Sequence, residues 1–475
     1  RLGQGSAARR RDPGVSGRPA KGYGRRRPAR GAAYDLLHAV HVDDAYANLA
    51  LPQILSDAKL TSRDAALATE LSYGTLRGQG LYDAVLAECV DRPLENLDGR
   101  LLDVLRMGVH QLLHMQVPVH AAVNETVDLA RDVVGDGAAR LTNAVMRKVA
   151  DGGDLDAWIA RVAPGDDPSS LAIATSHPLW IVRALGDALR AHPPTGERRD
   201  GELRALLDAD NAPARPTLVA RPGRLSVAEL CELPGVEAGR WSPYAATLVE
   251  GRPEDLAPIR RGTAGVQDEG SQLVALALAQ APVDGADRTW MDLAAGPGGK
   301  AALLAALADQ RGARLTAVET HPHRAQLVRQ AIGPGGHEVI VGDGRDAVGS
   351  RVADRVLVDV PCTGLGALRR RPEARWRRSP SDLATLGPLQ RELLDAGIEA
   401  ARPGGVIGYV TCSPHLAETD LVVDDVTRRR GDTEWIDARP LLPGVEALGD
   451  GPAVRLWPHV HGTDGMYLAL LRRRG

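Results

Sequence analysis

Two apolar stretches that each run into a cysteine decide the fold of this chain. They are Arg355-Val356-Leu357-Val358-Asp359-Val360-Pro361-Cys362-Thr363-Gly364 and Gly405-Val406-Ile407-Gly408-Tyr409-Val410-Thr411-Cys412-Ser413-Pro414. Each begins with a run typical of a buried strand and ends in a turn. Neighbouring parallel strands deliver the residues just past their carboxyl ends into one crevice, where open sheets bind ligands. The pattern therefore predicts that Cys362 and Cys412 face one pocket.

Strand-like and helix-like stretches alternate on both sides of this pair. Further strands are predicted over 290–293, 315–319, 338–341 and 466–471, and helices over 300–308 and 381–401. This alternation predicts a doubly wound parallel sheet, and hence a Rossmann-like α/β domain over residues 263–475.

The residues before this domain follow a different pattern. In residues 31–151, apolar side chains recur at three- and four-residue spacing, as in Leu101, Leu105 and Leu112. This spacing predicts an all-helical domain of five to seven helices. Residues 152–262 begin with a glycine- and proline-containing linker and mix helical stretches with short apolar runs, which predicts a small α+β connector.

The net charge of −3 conceals an uneven distribution. Residues 1–30 carry ten Lys or Arg and one Asp, so the other 445 residues sum to −12. A segment this polar buries too little apolar surface to fold. We therefore expect residues 1–30 to form a disordered basic arm, which either attracts polyanions or serves only to keep the protein soluble.

Length and composition exclude several classes of protein. With 475 residues, of which 44% are hydrophobic and 25% are charged, the chain is long enough for two or three globular domains. No run approaches the roughly 20 apolar residues of a membrane span. The four cysteines form no Cys-x-x-Cys pair of the kind that binds zinc. We expect a cytoplasmic monomer with free thiols, no membrane segment and no metal site.

A glycine-rich turn joins the first strand of the α/β domain to its helix. Its sequence is Ala294-Ala295-Gly296-Pro297-Gly298-Gly299-Lys300. Glycines let the backbone approach a ligand closely, and a helix N-terminus favours negative charge. The dinucleotide fingerprint and the P-loop pattern are both absent. Acids end three successive strands at Asp292, Glu319 and Asp343, where they can meet the ribose or base of a nucleoside cofactor.

Two thiols at one crevice indicate covalent or redox chemistry, because a thiolate is a soft nucleophile. Either cysteine alone would more often be a small core residue. One reaction that needs a thiolate is methylation of a pyrimidine at C5. Addition of the thiolate to C6 makes C5 electron-rich enough to attack the methyl sulfonium of S-adenosylmethionine. Loss of the C5 proton and elimination of the thiol then release the product.

An arginine-rich loop lies between the two cysteines. Residues 366–378, Gly-Ala-Leu-Arg-Arg-Arg-Pro-Glu-Ala-Arg-Trp-Arg-Arg, carry six arginines around one tryptophan. Guanidinium groups bind phosphates and stack on bases, and an indole offers a stacking platform. A solvated charged loop is the ordinary alternative. Its place beside two thiols favours a nucleic-acid substrate contacted by Arg370, Arg371, Arg375 and Trp376.

Several motifs are shared with a known family. They are Val123-Asn124-Glu125-Thr126-Val127, residues 141–148, Ser176-His177-Pro178-Leu179-Trp180, Val266–Gln272, the glycine-rich turn, Asp359–Gly366, Thr411–Pro414, Arg455–His459 and Asp464–Met466. Through these motifs the chain resembles the RsmB (Sun) family of bacterial small-subunit ribosomal RNA cytosine-C5 methyltransferases. The paired Pro-Cys and Thr-Cys motifs are highly specific. The resemblance implies that residues 31–151 are a NusB-like, RNA-binding domain in front of the methyltransferase.

The resemblance also implies individual roles. Cys412 would attack C6 and Cys362 would assist product release, which reverses the usual arrangement in DNA cytosine methyltransferases. Lys300 and Asp359 would orient the target cytosine. The residues implied for S-adenosylmethionine binding are Ala294, Ala295, Gly296, Pro297, Gly298, Gly299, Lys300, Glu319, Asp343 and Asp359.

The expected substrate is RNA, with 16S ribosomal RNA favoured by the resemblance. The same chemistry on tRNA or DNA remains open, as does a non-catalytic RNA-binding factor of antitermination type. Intact cofactor acids and two cysteines argue against the latter. The chain departs from the family at Ala294, where many relatives have cysteine, and at Tyr467, where phenylalanine is common. Neither departure removes a catalytic group.

Overall fold

The computed structural model describes residues 28–115, 117–346, 349 and 351–475. The basic arm expected over residues 1–30 lies outside the described residues up to residue 27. Residues 28–30 already belong to the first helix, so the arm ends earlier than predicted. Pro28 fits the first turn of a helix, where its missing amide hydrogen is not needed.

The described residues between 28 and 151 form six α-helices. They are α1 (Pro28–Val42), α2 (Ala47–Asp57), α3 (Ser62–Cys89), α4 (Gly99–Leu113), α5 (Val119–Val133) and α6 (Asp136–Asp151). Their apolar faces enclose one core that includes Leu37, Tyr82, Val104 and Met146. The all-helical domain predicted from the apolar spacing is confirmed.

A small α+β unit follows. Its elements are α7 (Leu155–Val162), α8 (Pro168–Ala174), α9 (Leu179–Ala191), α10 (Glu202–Asn211), β1 (Thr217–Ala220), α11 (Val227–Cys231), β2 (Val236–Ala238), β3 (Ala245–Leu248), α12 (Ala257–Arg260) and β4 (Ala264–Val266). The strands form an antiparallel sheet in the order β2-β3-β1-β4. Because Leu218 of β1 pairs with Val266 of β4, the connector extends beyond its predicted end at residue 262. Gly262 is only the turn that precedes its last strand.

The α/β domain contains the larger sheet. Its elements are α13 (Glu269–Gln280), β5 (Thr289–Asp292), α14 (Gly299–Gln310), β6 (Arg314–Glu319), α15 (Pro322–Ile332), β7 (Glu338–Val341), β8 (Ala353–Asp359), α16 (Ala374–Arg377), α17 (Asp382–Ala400), β9 (Ala401–Thr411), α18 (Asp420–Arg430), β10 (Thr433–Ile436), β11 (Val454–Leu456), α19 (Pro458–His461) and β12 (Met466–Arg473). The strand order is β10-β12-β9-β8-β5-β6-β7, and β11 pairs with β12. Apolar side chains from both faces of the sheet form two cores.

The sheet is parallel over only part of its width. Strands β9, β8, β5, β6 and β7 are mutually parallel. Strand β12 runs antiparallel to β9, and β10 and β11 run antiparallel to β12. The prediction of a doubly wound parallel sheet is therefore wrong at this edge, where the strands are antiparallel. The chain between β10 and β12 contains no long crossover helix, which a parallel connection would require.

Among the residues that the structure describes, no helix combines the length and the apolar character needed to cross a bilayer. Within the same ranges, no three His, Cys, Asp or Glu side chains converge as the ligands of a metal ion.

The arginine-rich loop lies where the three parts of the protein meet. Arg375 is fully buried, and its Nη1 donates to the carbonyl oxygen of Ser176 at 3.0 Å and to Oδ1 of Asn211 at 2.8 Å, both in the connector. Arg377 Nη2 donates to the carbonyl oxygen of Val40 at 3.0 Å in the helical domain. One loop of the α/β domain therefore contacts both of the preceding parts.

The Arg375→Ala variant is expected to lower the free energy of unfolding by about 3 kcal/mol or more, because buried acceptors lose a charged donor. Urea denaturation of the full chain measures this change. Arg371→Ala is the matched control, since it removes an exposed arginine of the same loop and should cost less than about 0.5 kcal/mol. Equal effects of the two substitutions would contradict a tethering role for Arg375.

Candidate active site

The two cysteine turns emerge side by side from the sheet. Strands β8 and β9 are parallel neighbours, and Asp359 pairs with Val410 near their carboxyl ends. The Sγ atoms of Cys362 and Cys412 lie 3.4 Å apart. Both thiols are partly buried. The structure thus brings together the two thiols, as the strand pattern predicted.

A buried carboxylate that no sequence motif singled out links the two turns through hydrogen bonds. Glu418 Oε1 accepts hydrogen bonds from the Thr363 amide at 2.8 Å and from Gln390 Nε2 at 3.1 Å, and the Thr363 hydroxyl donates to Oε2. The hydroxyls of Thr363 and Ser413 are 3.1 Å apart. The signal in the sequence was an acid a few residues after the second cysteine, which is too common to be specific.

An ion pair lies close to the thiols. Lys300 Nζ, in the first turn of α14, donates to Oδ2 of Asp359 at the end of β8, at a distance of 2.9 Å. Burial opposes the charge on Lys300, but the attraction of Asp359 and the hydrogen bond that Lys300 donates to it raise the pKa of Lys300 above its ordinary value. The ammonium group therefore stays charged at neutral pH.

The surroundings make the two thiols unequal. A hydrogen bond from Cys362 lowers the pKa of Cys412 despite the opposing effects of burial and of the Asp359 charge, and the charge of Lys300 also lowers it. The same hydrogen bond, together with burial, raises the pKa of Cys362 well above its ordinary value. Cys412 is therefore the thiol that ionises first, and it is the better nucleophile of the two at neutral pH.

At two positions of the glycine-rich turn the structure leaves no room for a larger side chain. A Cβ atom at Gly296 would lie 1.9 Å from Oε2 of Glu319, and Gly298 has a φ of +113° that other residues rarely adopt. Asp292 is buried, and its Oδ1 accepts a hydrogen bond from the Ala294 amide at 3.2 Å. Its Oδ2 has no partner among the described residues, and burial raises the pKa of Asp292 to about 7. A buried acceptor without a partner fits a missing ligand with donor groups.

The acids predicted to follow the strands do lie at neighbouring strand ends. Glu319 ends β6, is buried, and accepts from the His321 amide at 2.9 Å. Asp343 follows β7, and Arg345 donates to it from Nε at 2.9 Å and from Nη2 at 2.6 Å. Because β5, β6 and β7 are adjacent, these acids and Asp292 lie along the same edge of the sheet. The residues present therefore fit a nucleoside cofactor.

The structure separates the residues predicted to contact nucleic acid. Arg375 is fully buried and donates to groups of the protein itself, so its prediction as a nucleic-acid contact is wrong. Burial of its guanidinium between the connector and the α/β domain leaves no face for a phosphate. Arg370 is partly exposed, and its Nε donates to the buried Asp464 at 2.9 Å. Arg371 and Trp376 lie on the surface.

Two family models match the chain. The model described as 16S rRNA methyltransferase RsmB/F matches residues 277–472, and the NusB family model matches residues 27–151. The first match lies in the α/β domain, and the second coincides with the helical domain.

Similar proteins match nearly the whole chain. A protein of Mycobacterium tuberculosis, named as a methyltransferase without a stated substrate, is 51% identical over 450 residues, which cover 94% of this chain and 96% of the relative. Ribosomal RNA small subunit methyltransferase B of Pseudomonas syringae pv. tomato is 31% identical over 460 residues, which cover 93% of this chain and 96% of the relative. The crystal structure of PH0851 superposes with a TM-score of 0.75 at 22% identity, over 94% of this chain and 99% of that chain, and so shares the fold.

Iodoacetamide is expected to alkylate Cys412 before Cys362, because the thiolate is the reacting form and the two pKa values are shifted in opposite directions. The rate at Cys412, followed by peptide mass spectrometry, should rise with pH with a midpoint below the ordinary thiol value of 9.0. Lys300→Met and Cys362→Ala should each move this midpoint upward, since each removes a group that stabilises the thiolate. Faster alkylation of Cys362 at neutral pH would contradict the assignment.

Proposed function

Because the chain belongs to the RsmB/F family of 16S rRNA methyltransferases, we propose that it methylates C5 of cytosine in RNA through a covalent Cys412–C6 adduct. The observation that carries this proposal is the pair of Sγ atoms 3.4 Å apart beside the Lys300–Asp359 ion pair. The family and the succession of NusB-like and methyltransferase parts expected from the sequence are confirmed. The base, its position and the covalent route are the proposal.

Cys412 begins the reaction. Its thiolate adds to C6 of the cytosine ring, and the electron pair of the C5–C6 double bond shifts toward N3 through the ring, so that C5 becomes nucleophilic. Asp359 accepts a hydrogen bond from the exocyclic amino group of cytosine, a donor that uracil lacks. Lys300 holds Asp359 in place through their 2.9 Å contact.

Cys362 assists the release of the product. After C5 has received the methyl group, a water molecule takes the C5 proton, the electron pair of the C5–H bond re-forms the C5–C6 double bond, and the Cys412 sulfur leaves as a thiolate. Cys362 keeps its own proton because its pKa is raised. It therefore donates a hydrogen bond to the leaving sulfur, which is the contact that the two thiols already make.

S-adenosylmethionine is the proposed methyl donor. Residues 294–300, Glu319, Asp343 and Asp359 would hold it, and the unpaired Oδ2 of Asp292 is placed to take part. When bound, it supplies an electrophilic methyl group for C5. The glycine-rich turn provides close backbone approach, and the strand-end acids accept hydrogen bonds from hydroxyl and amino groups.

The proposed substrate is 16S ribosomal RNA, acted on in the cytoplasm. The matched family is described by this substrate, which favours it over tRNA or DNA. Trp376 and Arg371 offer exposed stacking and phosphate-binding groups, and Arg370 is partly exposed. A monomer suffices for the chemistry because both thiols come from one chain. The presence of both thiols and of the Lys300–Asp359 pair disfavours a non-catalytic RNA-binding factor.

The Cys412→Ala variant is expected to lose methyl transfer by about a thousandfold or more, because the C6 adduct cannot form. The Cys362→Ala variant should instead accumulate a protein–RNA adduct that survives denaturing electrophoresis. Transfer of labelled methyl groups and the mobility of labelled RNA measure the two effects. Cys231→Ala, a thiol of the connector, is the control and should change neither. Full turnover by the Cys412 variant would exclude the proposed mechanism.

The class of RNA that the protein methylates can be identified in cellular RNA. Bisulfite sequencing of a strain that lacks the gene should show loss of 5-methylcytosine at one position of 16S rRNA, restored by the wild-type gene but not by the Cys412→Ala variant. Loss in tRNA would favour the tRNA alternative. Calorimetry that detects no binding of S-adenosylmethionine would favour the non-catalytic alternative.

A further inference from the structure

A cavity of about 430 Å³ lies between the helical domain and the arginine-rich loop, and the chemistry described above does not use it. Its volume is within the range of about 300–1,000 Å³ that is typical of small-ligand pockets. Asp44, Tyr46 and Gln79 line it from the helical domain, and Glu373, Trp376 and Arg377 line it from the loop.

Flat groups surround this cavity. Trp376 and Tyr46 are 36% and 46% exposed, which is unusual for large aromatic side chains. The Arg377 guanidinium lies over the Tyr46 ring, with its carbon 5.1 Å from the ring centroid, and donates to the carbonyl oxygens of Val40 and Ala45. These contacts fix the guanidinium plane. The cavity therefore presents surfaces on which a planar ring can stack.

Two carboxylates add hydrogen-bond acceptors. Glu373 is 2% exposed, and its Oε1 accepts from the Ala47 amide at 3.2 Å. Its Oε2 has no partner among the described residues. Asp44 is exposed and has a φ of +53°, a region that non-glycine residues rarely adopt. The buried acceptor without a donor points to a ligand that brings N–H groups, and Asp44 adds an exposed carboxylate to the same cavity.

We propose that this cavity binds an unpaired guanine of the RNA substrate, a second base in addition to the target cytosine. Guanine presents two adjacent donors, N1–H and the N2 amino group, which match one carboxylate. Adenine and cytosine present only an amino group on that edge, and uracil only one imino N–H. The fixed charge of Arg377 disfavours a cation such as a methylated lysine, which aromatic and acidic groups would otherwise suit.

This inference rests on the proposed function, because it takes RNA as the substrate. It adds a contact that the catalytic residues do not make. The guanine would be held by both the helical domain and the arginine-rich loop. An RNA that carries an unpaired guanine at the matching position would therefore bind more tightly than one that lacks it.

Binding of short labelled oligouridines to the full chain tests the proposal, with fluorescence anisotropy measured in the absence of cofactor. The oligonucleotides carry one central guanosine, inosine, adenosine or uridine. Guanosine should bind at least about tenfold more tightly than inosine, which lacks the N2 amino group. Equal affinities for all four, or a preference for adenosine, would overturn the proposal.

Substitutions of residues that line the cavity test whether it is the site of the preference for guanosine. Trp376→Ala and Asp44→Asn should each reduce the preference for guanosine to less than about twofold, because they remove a stacking surface and an acceptor. Two variants serve as controls: Trp435→Ala removes an equally exposed tryptophan of β10, and Asp166→Asn removes an exposed acid of the connector. Both should keep the preference for guanosine. Thermal unfolding verifies that each variant is folded. If folded Trp376→Ala and Asp44→Asn variants both keep the preference, the cavity is not the site.

The binding test is independent of methyl transfer. An enzyme that methylates cytosine but shows no guanosine preference would overturn only this inference. A protein that prefers guanosine but leaves cytosine unmodified would overturn only the proposed function. Binding of a trimethyllysine peptide at the cavity, together with no base preference, would identify a different kind of ligand and overturn the guanine assignment.

Discussion

The active-site geometry depends on the hydrogen bonds that the buried carboxylate of Glu418 accepts. Transfer of a charged group out of water is costly unless hydrogen bonds replace its hydration. Glu418 receives them from Thr363 and Gln390, and the Tyr409 hydroxyl donates to its backbone carbonyl oxygen at 2.7 Å. These partners come from the turn after β8, from α17 and from β9. The adjacent thiols are therefore set by a shared polar core as well as by the pairing of the strands.

The asymmetry of the thiols follows from this arrangement. Two chemically identical groups 3.4 Å apart cannot both ionise easily, because like charges repel at that distance. One proton is then shared between them, and the hydrogen bond from Cys362 is the largest influence that favours the negative charge on Cys412. The opposite pKa shifts of the two thiols agree with the roles that the family resemblance implies for Cys412 and Cys362, which remain a proposal. The charge of Lys300 favours the same thiolate, but the charge of Asp359 opposes it more strongly.

Prediction from sequence succeeded where local pattern and tertiary structure coincide. The apolar spacing of residues 101–113 gave the helix α4, and the runs ending at Asp359 and Thr411 gave adjacent strands. It failed where the outcome depends on distant partners. Arg375 looked like a surface cation among five others, and only the placement of Ser176 and Asn211 around it explains its burial. The antiparallel direction of β12 likewise depends on which edge of the sheet is still unpaired once β9 has been added. The composition of β12 itself does not contain that information.

The tethering of the arginine-rich loop has a consequence for how an RNA is chosen. Arg375 and Arg377 fix the helical domain and the connector to the same segment that links the two cysteine turns. The span between the helical domain and the reactive sulfurs is then a property of the protein, set by short buried contacts rather than by a flexible linker. An RNA that contacted both the helical domain and the reactive sulfurs would therefore have to match a fixed separation between the two. Selection would then act on the folded shape of the RNA before any base is tested.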